Sequence, residues 1–298
     1  MANKADVSRL LRYVLADVGL SGDPVRESMR IWAHSSVERL RFPGRASVIF
    51  KYADAPFDRE HLVLRLAARH GLPVPHVQAA RTEAGVLAML MDDLGKPVRE
   101  ANDYDGACAA ARLHRLDGAG WLARVNTGWL ATMPHRIGLR LNRLGLPGVV
   151  AGPVRALEGA AASRAAGAQL PPFGLCHSQY HPTSLHIGER GWHLLDFARA
   201  FNGPGLLDIA SWHGTLNPPN PARTLGLIES YVEAGGHRQA LAARGGIDAA
   251  SWALGWHRVW VADWLTQQIE RGWADRADDI WISAITRHLT EAATLLHA

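Results

Sequence analysis

The sequence predicts an α+β protein with two lobes, a small β-rich lobe over residues 1–92 and a larger helical lobe over residues 93–298. Three observations support this prediction. Short runs that are apolar or alternate in polarity recur between residues 25 and 91, as expected for β-strands. Helical spacing dominates beyond residue 93. The polar turn Asp92-Asp93-Leu94-Gly95 separates the two patterns and marks the boundary.

The first lobe is predicted to combine two helices with an antiparallel sheet. An amphipathic helix over residues 1–20 ends before Gly22-Asp23-Pro24, since glycine and proline end helices. A second helix over residues 56–69 ends at Gly71, and Pro73 and Pro75 prevent its continuation. The strands are predicted over residues 28–32, 36–42, 46–52, 77–80 and 86–91.

The second lobe is predicted to be mainly helical. Residues 102–116 form an alanine-rich helix, and a further helix is expected over residues 134–144, because proline suits a first helical turn and Gly145 suits the end. The Ala/Gly-rich residues 148–167 permit a helix. More helices follow Pro218-Pro219.

Composition restricts the class of protein. The chain has 298 residues, of which 48% are hydrophobic and 20% charged, and its net charge is +4. These values are typical of a globular protein with a hydrophobic core. No apolar run reaches the roughly 20 residues that span a bilayer, and no basic stripe with aromatic residues indicates nucleic acid. We therefore expect neither a membrane nor a nucleic-acid partner. Two distant cysteines and the lack of a signal peptide favour a reducing cytoplasm.

The most informative segment runs from Leu175 to Trp212, LCHSQYHPTSLHIGERGWHLLDFARAFNGPGLLDIASW. It contains His177-Ser178-Gln179-Tyr180-His181-Pro182-Thr183-Ser184, then Asp196 within HLLDFA and Asp208 within GPGLLDIASW. A short hairpin is predicted between the loop and Asp196, with Gly188 and Glu189 at its tip and residues 192–194 as the strand that leads into Asp196.

This segment resembles the catalytic region of the aminoglycoside phosphotransferase and choline kinase group, which are relatives of the protein kinases. That family has the loop His-Gly-Asp-x-His-x-x-Asn, a metal-binding aspartate about a dozen residues later, and a further aspartate that braces the loop. The resemblance extends over roughly residues 25–290. It implies a two-lobe protein kinase-like fold, ATP or GTP as phosphoryl donor, Mg²⁺ as cofactor, and a small-molecule or peptide substrate.

The resemblance also implies roles for individual residues. Asp196 and Ser184 are expected to bind metal, and Asp208 is expected to brace the loop. Lys51, at the end of ASVIFK, is expected to hold nucleotide phosphates and to pair with Glu60 on the following helix.

Two more segments correspond to nucleotide-binding parts of the family. The sequence LAMLMDDLGKP resembles its hinge, which implies that backbone groups from Met91 to Leu94 bind the edge of the base. Ser35 and Ser36 lie in the span that corresponds to the phosphate loop, which has no glycine here.

Two positions depart from the family pattern. Gln179 stands where the family has its catalytic aspartate, and its amide cannot hold a proton at neutral pH. Ser184 replaces the metal-binding asparagine with a shorter, weaker oxygen donor. Three interpretations follow. In the first, the chain is an active phosphotransferase of natural-product biosynthesis or antibiotic modification. Alternatively, it is a pseudokinase that binds nucleotide, substrate or a partner without transfer, or a scaffold that holds a substrate for a partner enzyme.

Four tryptophans recur at intervals of four residues, which places them on one face of a predicted late helix. They are Trp252, Trp256, Trp260 and Trp264. We expect this face to pack into the helical lobe. The alternative is an aromatic wall of the acceptor pocket, since the resemblance implies that late helices form that pocket.

Overall fold

The computed structural model describes residues 4–146, 148 and 150–298. The first three residues of the predicted N-terminal helix therefore lie outside the described residues. The chain forms two compact units. One contains residues up to Ala101 together with Thr183–Ala200, and the other contains Asn102–Pro182 and Phe201–Ala298.

The first unit is built on a five-stranded antiparallel sheet in the order β1-β2-β3-β5-β4. The strands are β1 (Val25–Trp32), β2 (Ser35–Arg41), β3 (Val48–Asp54), β4 (Val77–Glu83) and β5 (Val86–Asp92). All five strands were predicted, with ends that differ by a few residues.

Helix α1 (Lys4–Asp17) packs on one face of this sheet. Its side chains Leu10 and Val14 form a buried cluster with Leu40, Phe50 and Leu90. Because neighbouring residues of a strand point to opposite faces, Phe50 in this cluster places Lys51 on the other face of the sheet.

Helix α2 (Glu60–Arg69) follows β3 in the first unit. Residues 183–200 contribute a hairpin of β7 (Leu185–Gly188) and β8 (Gly191–Leu194), preceded by a short 3-10 turn, Pro182–Ser184. Backbone bonds join this hairpin to the unit: Val98 N–H donates to Ile187 O at 2.8 Å and Leu194 N–H donates to Pro73 O at 2.9 Å. These bonds explain why the hairpin groups with the sheet. The lobe boundary after residue 92 stays a prediction.

The second unit is mainly helical, with one two-stranded sheet. Its helices are α3 (Asp103–Leu113), α4 (Thr127–Arg143), α5 (Ala151–Arg164), α6 (Leu206–Ser211), α7 (Pro221–Glu233), α8 (Ala249–Glu270) and α9 (Asp279–Leu295). A 3-10 helix, Arg238–Leu241, lies between α7 and α8. Strands β6 (Phe173–Cys176) and β9 (Phe201–Pro204) pair antiparallel.

Helix α4 corrects one prediction. The sequence placed a helix start at Pro134, but α4 begins at Thr127 and includes Pro134 in its interior. The reason is a stronger N-terminal cap upstream: the side chain of Asn126 accepts a hydrogen bond from Trp129 N–H at 2.9 Å.

The tryptophans of α8 divide into two pairs. Trp252 and Trp256 are fully buried, and both indole N–H groups donate to the carbonyl of Arg164, at 2.7 and 3.1 Å. These two residues therefore belong to the core, as expected. Trp260 and Trp264 are only partly buried, and the ring of Trp260 packs on Trp129 at a centroid distance of 5.3 Å.

Two further sequence-based expectations can be compared with the structure. Cys108 and Cys176 are both free, so the chain has no intramolecular disulfide. Within the described residues, every helix is too short or too polar to cross a bilayer.

Candidate functional site

Three charged side chains meet in the first unit. The ammonium Nζ of Lys51 lies 2.6 Å from Glu60 Oε2 and 2.7 Å from Asp196 Oδ1. Strand β3 presents Lys51, the first turn of α2 presents Glu60, and the segment after β8 presents Asp196. The structure thus brings together three residues that were selected from separate parts of the sequence.

The pair of Lys51 and Glu60 is almost completely buried, with 6% and 1% of the two side chains exposed. Burial by itself would lower the pKa of Lys51, but the carboxylates of Glu60 and Asp196 outweigh it and raise the pKa above its ordinary value. Burial raises the pKa of Glu60, and Lys51 opposes that shift. The two carboxylates therefore favour the charged form of Lys51.

The backbone at Asp196 has a left-handed conformation, with φ at +64°. A non-glycine residue adopts this conformation at a cost, and such residues concentrate at functional sites. Next to it, Leu195 N–H donates to the carbonyl of Ser184 at 2.9 Å, which joins the predicted metal ligand Ser184 to the same short segment. Ser184 is buried.

A fourth charged residue, which was not predicted from the sequence, approaches Asp196. Arg30 on β1 places Nη1 3.8 Å from Asp196 Oδ2, so the two carboxylate oxygens face two different cations. The guanidinium carbon of Arg30 also lies 3.9 Å from the ring centroid of Trp32. The sequence contains one indication of this contact: Arg30 and Trp32 are two residues apart on a strand, so their side chains lie on the same face.

Ser35 and Ser36 are the first residues of β2, directly after the turn that joins it to β1. Both are buried. Asp54 N–H donates to the carbonyl of His34 at 2.8 Å and fixes the turn on the neighbouring strand. The expected role of Ser35 and Ser36 in phosphate binding stays a prediction.

The predicted hinge lies at the end of β5. Met91 is buried and Leu94 is partly buried. Asp93 fixes this segment, because its carboxylate accepts hydrogen bonds from Arg39 at 2.6 Å, Ser47 at 2.6 Å and the backbone of Gly95 at 2.9 Å. Burial alone would raise the pKa of Asp93, but these donors hold it below its ordinary value.

A cavity of about 540 Å³ lies beside the hinge within the first unit. Its lining includes residues 92–96, Val48 on β3, and His186 and His193 on the hairpin. This volume lies within the range of small-ligand sites.

The loop that carries Gln179 belongs to the second unit. Asp208, which is fully buried, accepts hydrogen bonds from His177 N–H at 2.7 Å and Ser178 N–H at 2.8 Å. Gln179 N–H donates to the ring of His177 at 3.3 Å. The Asp208 carboxylate therefore holds the backbone of the loop. This is the bracing role that the resemblance implies for Asp208.

The comparison with known families determines the family. The model of the phosphotransferase enzyme family matches residues 39–243, about two thirds of the chain. The chain belongs to this family. The matched region contains Lys51, Glu60, Gln179, Ser184 and Asp196, whereas Arg30 lies before it.

Solved structures show that this phosphotransferase family member has the kinase-like fold. A choline/ethanolamine kinase family protein from Mesorhizobium loti is similar with a TM-score of 0.67 and 17% identity, over 98% of this chain and 95% of that one. An amicoumacin kinase in complex with AMP-PNP, Ca²⁺ and Ami has a TM-score of 0.59 and 14% identity, over 98% and 96% of the two chains. A phosphotransferase in a ternary complex with streptomycin and ATP has a TM-score of 0.62 and 12% identity, over 99% of both chains. No curated protein matches the sequence.

The family implies a divalent metal, and the oxygen donors of this chain fit one ion. Mg²⁺ prefers oxygen ligands and is held in proteins by one or two carboxylates together with substrate phosphates. Asp196 supplies a carboxylate that is 21% exposed, and Ser184 would supply a hydroxyl. A carboxylate with a hydroxyl binds Mg²⁺ more weakly than a carboxylate with the amide oxygen of an asparagine.

One buried group of three potential ligands also occurs in the second unit, namely His114, Cys176 and Asp208. Its atoms already have partners: His114 Nε2 lies 3.3 Å from Asp208, and Cys176 Sγ donates to the carbonyl of Gly203 at 3.3 Å. This group is an internal hydrogen-bond network that supports the Gln179 loop.

Proposed function

We propose that the chain is an ATP- or GTP-dependent phosphotransferase that transfers a phosphoryl group to a hydroxyl of a small molecule or peptide. The cluster of Lys51, Glu60 and Asp196 is the main support. A lysine that pairs with a helix glutamate, next to a metal-binding aspartate, is the arrangement that kinases need in place for phosphoryl transfer. Because burying ions is costly and a buried ion pair adds little net stability over apolar packing, a buried ammonium with two carboxylates favours a functional role.

In this proposal Lys51 binds the phosphates of the nucleotide, and Glu60 keeps the Lys51 ammonium in position. Ser35 and Ser36, at the start of β2, would contribute to phosphate binding. Backbone groups from Met91 to Leu94 bind the edge of the base. Asp196, assisted by Ser184, would hold Mg²⁺, which when bound neutralises charge on the phosphates.

Gln179 would orient the acceptor hydroxyl through its amide. The acceptor oxygen forms a bond to the γ-phosphorus while the bond from that phosphorus to the bridging oxygen breaks, and the nucleoside diphosphate leaves. Gln179 cannot take up the hydroxyl proton, so the proton passes to a phosphoryl oxygen or to water. Phosphoryl transfer depends mainly on positioning and charge, and loss of a general base typically costs about 10²–10⁴-fold in rate.

The acceptor belongs to the class of natural products or antibiotics in this proposal. The structurally similar proteins include one solved with streptomycin and one named an amicoumacin kinase. Two unpaired cysteines support the cytoplasm as the compartment.

The second candidate is a pseudokinase that binds nucleotide, substrate or a partner protein without transfer. Gln179 and Ser184 favour it, because they remove the base and weaken a metal ligand at the same time. Such a protein would hold a substrate for a partner enzyme, and it would keep the Lys51 cluster for nucleotide binding alone.

The test combines binding with turnover. Thermal unfolding is followed with Mg-ATP and Mg-GTP, and phosphate transfer or slow hydrolysis is measured in parallel. The proposal expects a rise in Tm with nucleotide, turnover in the wild type, and loss of turnover in Asp196→Ala. A rise in Tm without any turnover supports the pseudokinase.

The variant Gln179→Asp sharpens the distinction. It restores the family's residue, so turnover should rise by about 10²-fold or more if the rest of the site functions. Asp275→Ala, at an exposed carboxylate of the second unit, is the matched control for Asp196→Ala. A protein whose Tm responds to no nucleotide would contradict both candidate functions.

A further inference from the structure

Arg30 differs from the other arginines of β1 and β2. Arg26, Arg39 and Arg41 each have a carboxylate oxygen of Glu38, Asp93 or Glu27 at 2.6 Å. The nearest carboxylate oxygen to Arg30 is 3.8 Å away, on Asp196. Within the described parts of these two strands, Arg30 is the arginine whose ion pair is long, although it lies beside the candidate site.

Structural stabilisation does not explain this placement. The side chain of Arg30 is 48% exposed, and exposed ion pairs contribute roughly 0–1 kcal/mol. The ring of Trp32, itself 46% exposed, holds the guanidinium at 3.9 Å. An arginine stacked on an aromatic ring keeps its N–H edge available for another acceptor.

The charge balance of the site indicates what that acceptor is. Lys51 and Arg30 together balance Glu60 and Asp196, so the four side chains sum to zero. A bound nucleoside triphosphate adds about four negative charges. The oxygen donors fit one Mg²⁺, since Ser184 replaces the amide that would help to hold a further ion. A guanidinium binds phosphate through two parallel N–H donors, which is the geometry that Arg30 can offer.

Resting on the proposed function, we propose that Arg30 is a phosphate-binding residue of the nucleotide site. When the nucleotide binds, Arg30 turns its N–H groups from Asp196 to the phosphates, while its guanidinium stays stacked on the ring of Trp32. It supplies part of the positive charge that a second divalent ion would otherwise supply, so nucleotide binding depends less on Mg²⁺ than it would without Arg30.

The test measures ATP affinity by titration calorimetry in Mg²⁺ and in EDTA. Arg30→Ala should weaken ATP binding by about tenfold or more in EDTA, as expected for the loss of a charge-assisted bond to phosphate. In Mg²⁺ the loss should be smaller, because the metal screens the same phosphates. Arg26→Ala removes an arginine from the same strand whose charge is already paired with Glu38, and it should bind ATP within twofold of the wild type in both buffers.

Adenosine serves as the second ligand, because it has no phosphate. Its affinity should be the same in wild type and Arg30→Ala, and a parallel loss would assign Arg30 a structural role and overturn the proposal. Equal ATP affinity of the two proteins in EDTA would also overturn it, as would a wild type that binds ATP in Mg²⁺ and not at all in EDTA. A wild type that binds ATP in neither buffer overturns the proposed function as well, so the two failures are distinguishable.

Discussion

Replacing Lys51 by methionine tests whether the ammonium neutralises buried carboxylates. The substitution keeps most of the side-chain volume and removes the charge between Glu60 Oε2 at 2.6 Å and Asp196 Oδ1 at 2.7 Å. Breaking a buried ion pair typically costs about 3–5 kcal/mol. We expect a loss of this size in the free energy of unfolding at pH 8.

The loss should depend on pH, because Glu60 can take up a proton instead of remaining an unpaired anion. Its pKa is already raised by burial, and loss of Lys51 raises it further. A carboxyl group whose pKa is higher in the folded than in the unfolded state makes stability fall as pH rises between those two values, by up to about 1.4 kcal/mol per unit. The defect of Lys51→Met should therefore shrink as pH is lowered from 8 towards 5.

Urea unfolding at pH 8 and pH 5.5, followed by circular dichroism, measures both effects. The double variant Lys51→Met with Glu60→Gln has no unpaired buried glutamate and should recover much of the loss at pH 8. Lys96→Met, at an exposed lysine, is the matched control and should change little. An equal defect at both pH values, or a double variant no more stable than the single one, would refute the reasoning.

Two further predictions concern the second unit. Asp208→Asn should destabilise by about 1.5–3 kcal/mol in urea unfolding, since a charged acceptor of the His177 and Ser178 N–H groups is lost; an unchanged midpoint would argue against the brace. Burial and the neighbouring arginines lower the pKa of His288 to about 3, so the unfolded state binds a proton that the folded state does not as pH falls below about 6.5. Stability should then decline by up to about 1.4 kcal/mol per unit between pH 6 and 4, and His288→Asn should show a shallower decline in acid titrations.

Local patterns predicted most of the elements of the fold. The alternation in residues 25–91 identified five strands, and Asn102, which caps α3, lies at the predicted helix start. Pro134 misled the prediction of α4, because a proline inside a helix and one in its first turn have the same local sequence. The prediction did not detect that the hairpin of β7 and β8 groups with the distant sheet, since its bonds to Pro73 and Val98 link residues far apart in sequence.

The candidate site was predicted where residue type and spacing are both unusual. Lys51, Glu60 and Asp196 were selected by resemblance, and the structure places their charged groups within hydrogen-bonding distance. Arg30 was missed because an arginine on an exposed strand is ordinary, and its approach to Asp196 depends on tertiary structure. The altered loop around Gln179 was evident from sequence, but the chemistry that the loop performs depends on an acceptor that no sequence pattern identifies.

The first unit is assembled from segments that are synthesised at different times. Lys51 and Asp196 are separated by 145 positions, and a ribosome adds about 5–20 residues per second. Asp196 therefore follows Lys51 into the nascent polypeptide after about 7–30 s. During this interval the sheet and α2 can bring Lys51 and Glu60 together, whereas the third member of the cluster has yet to be translated. A nascent chain that stalls before residue 183 would carry the pair of Lys51 and Glu60 without Asp196, which makes the complete cluster a late event in the biogenesis of the protein.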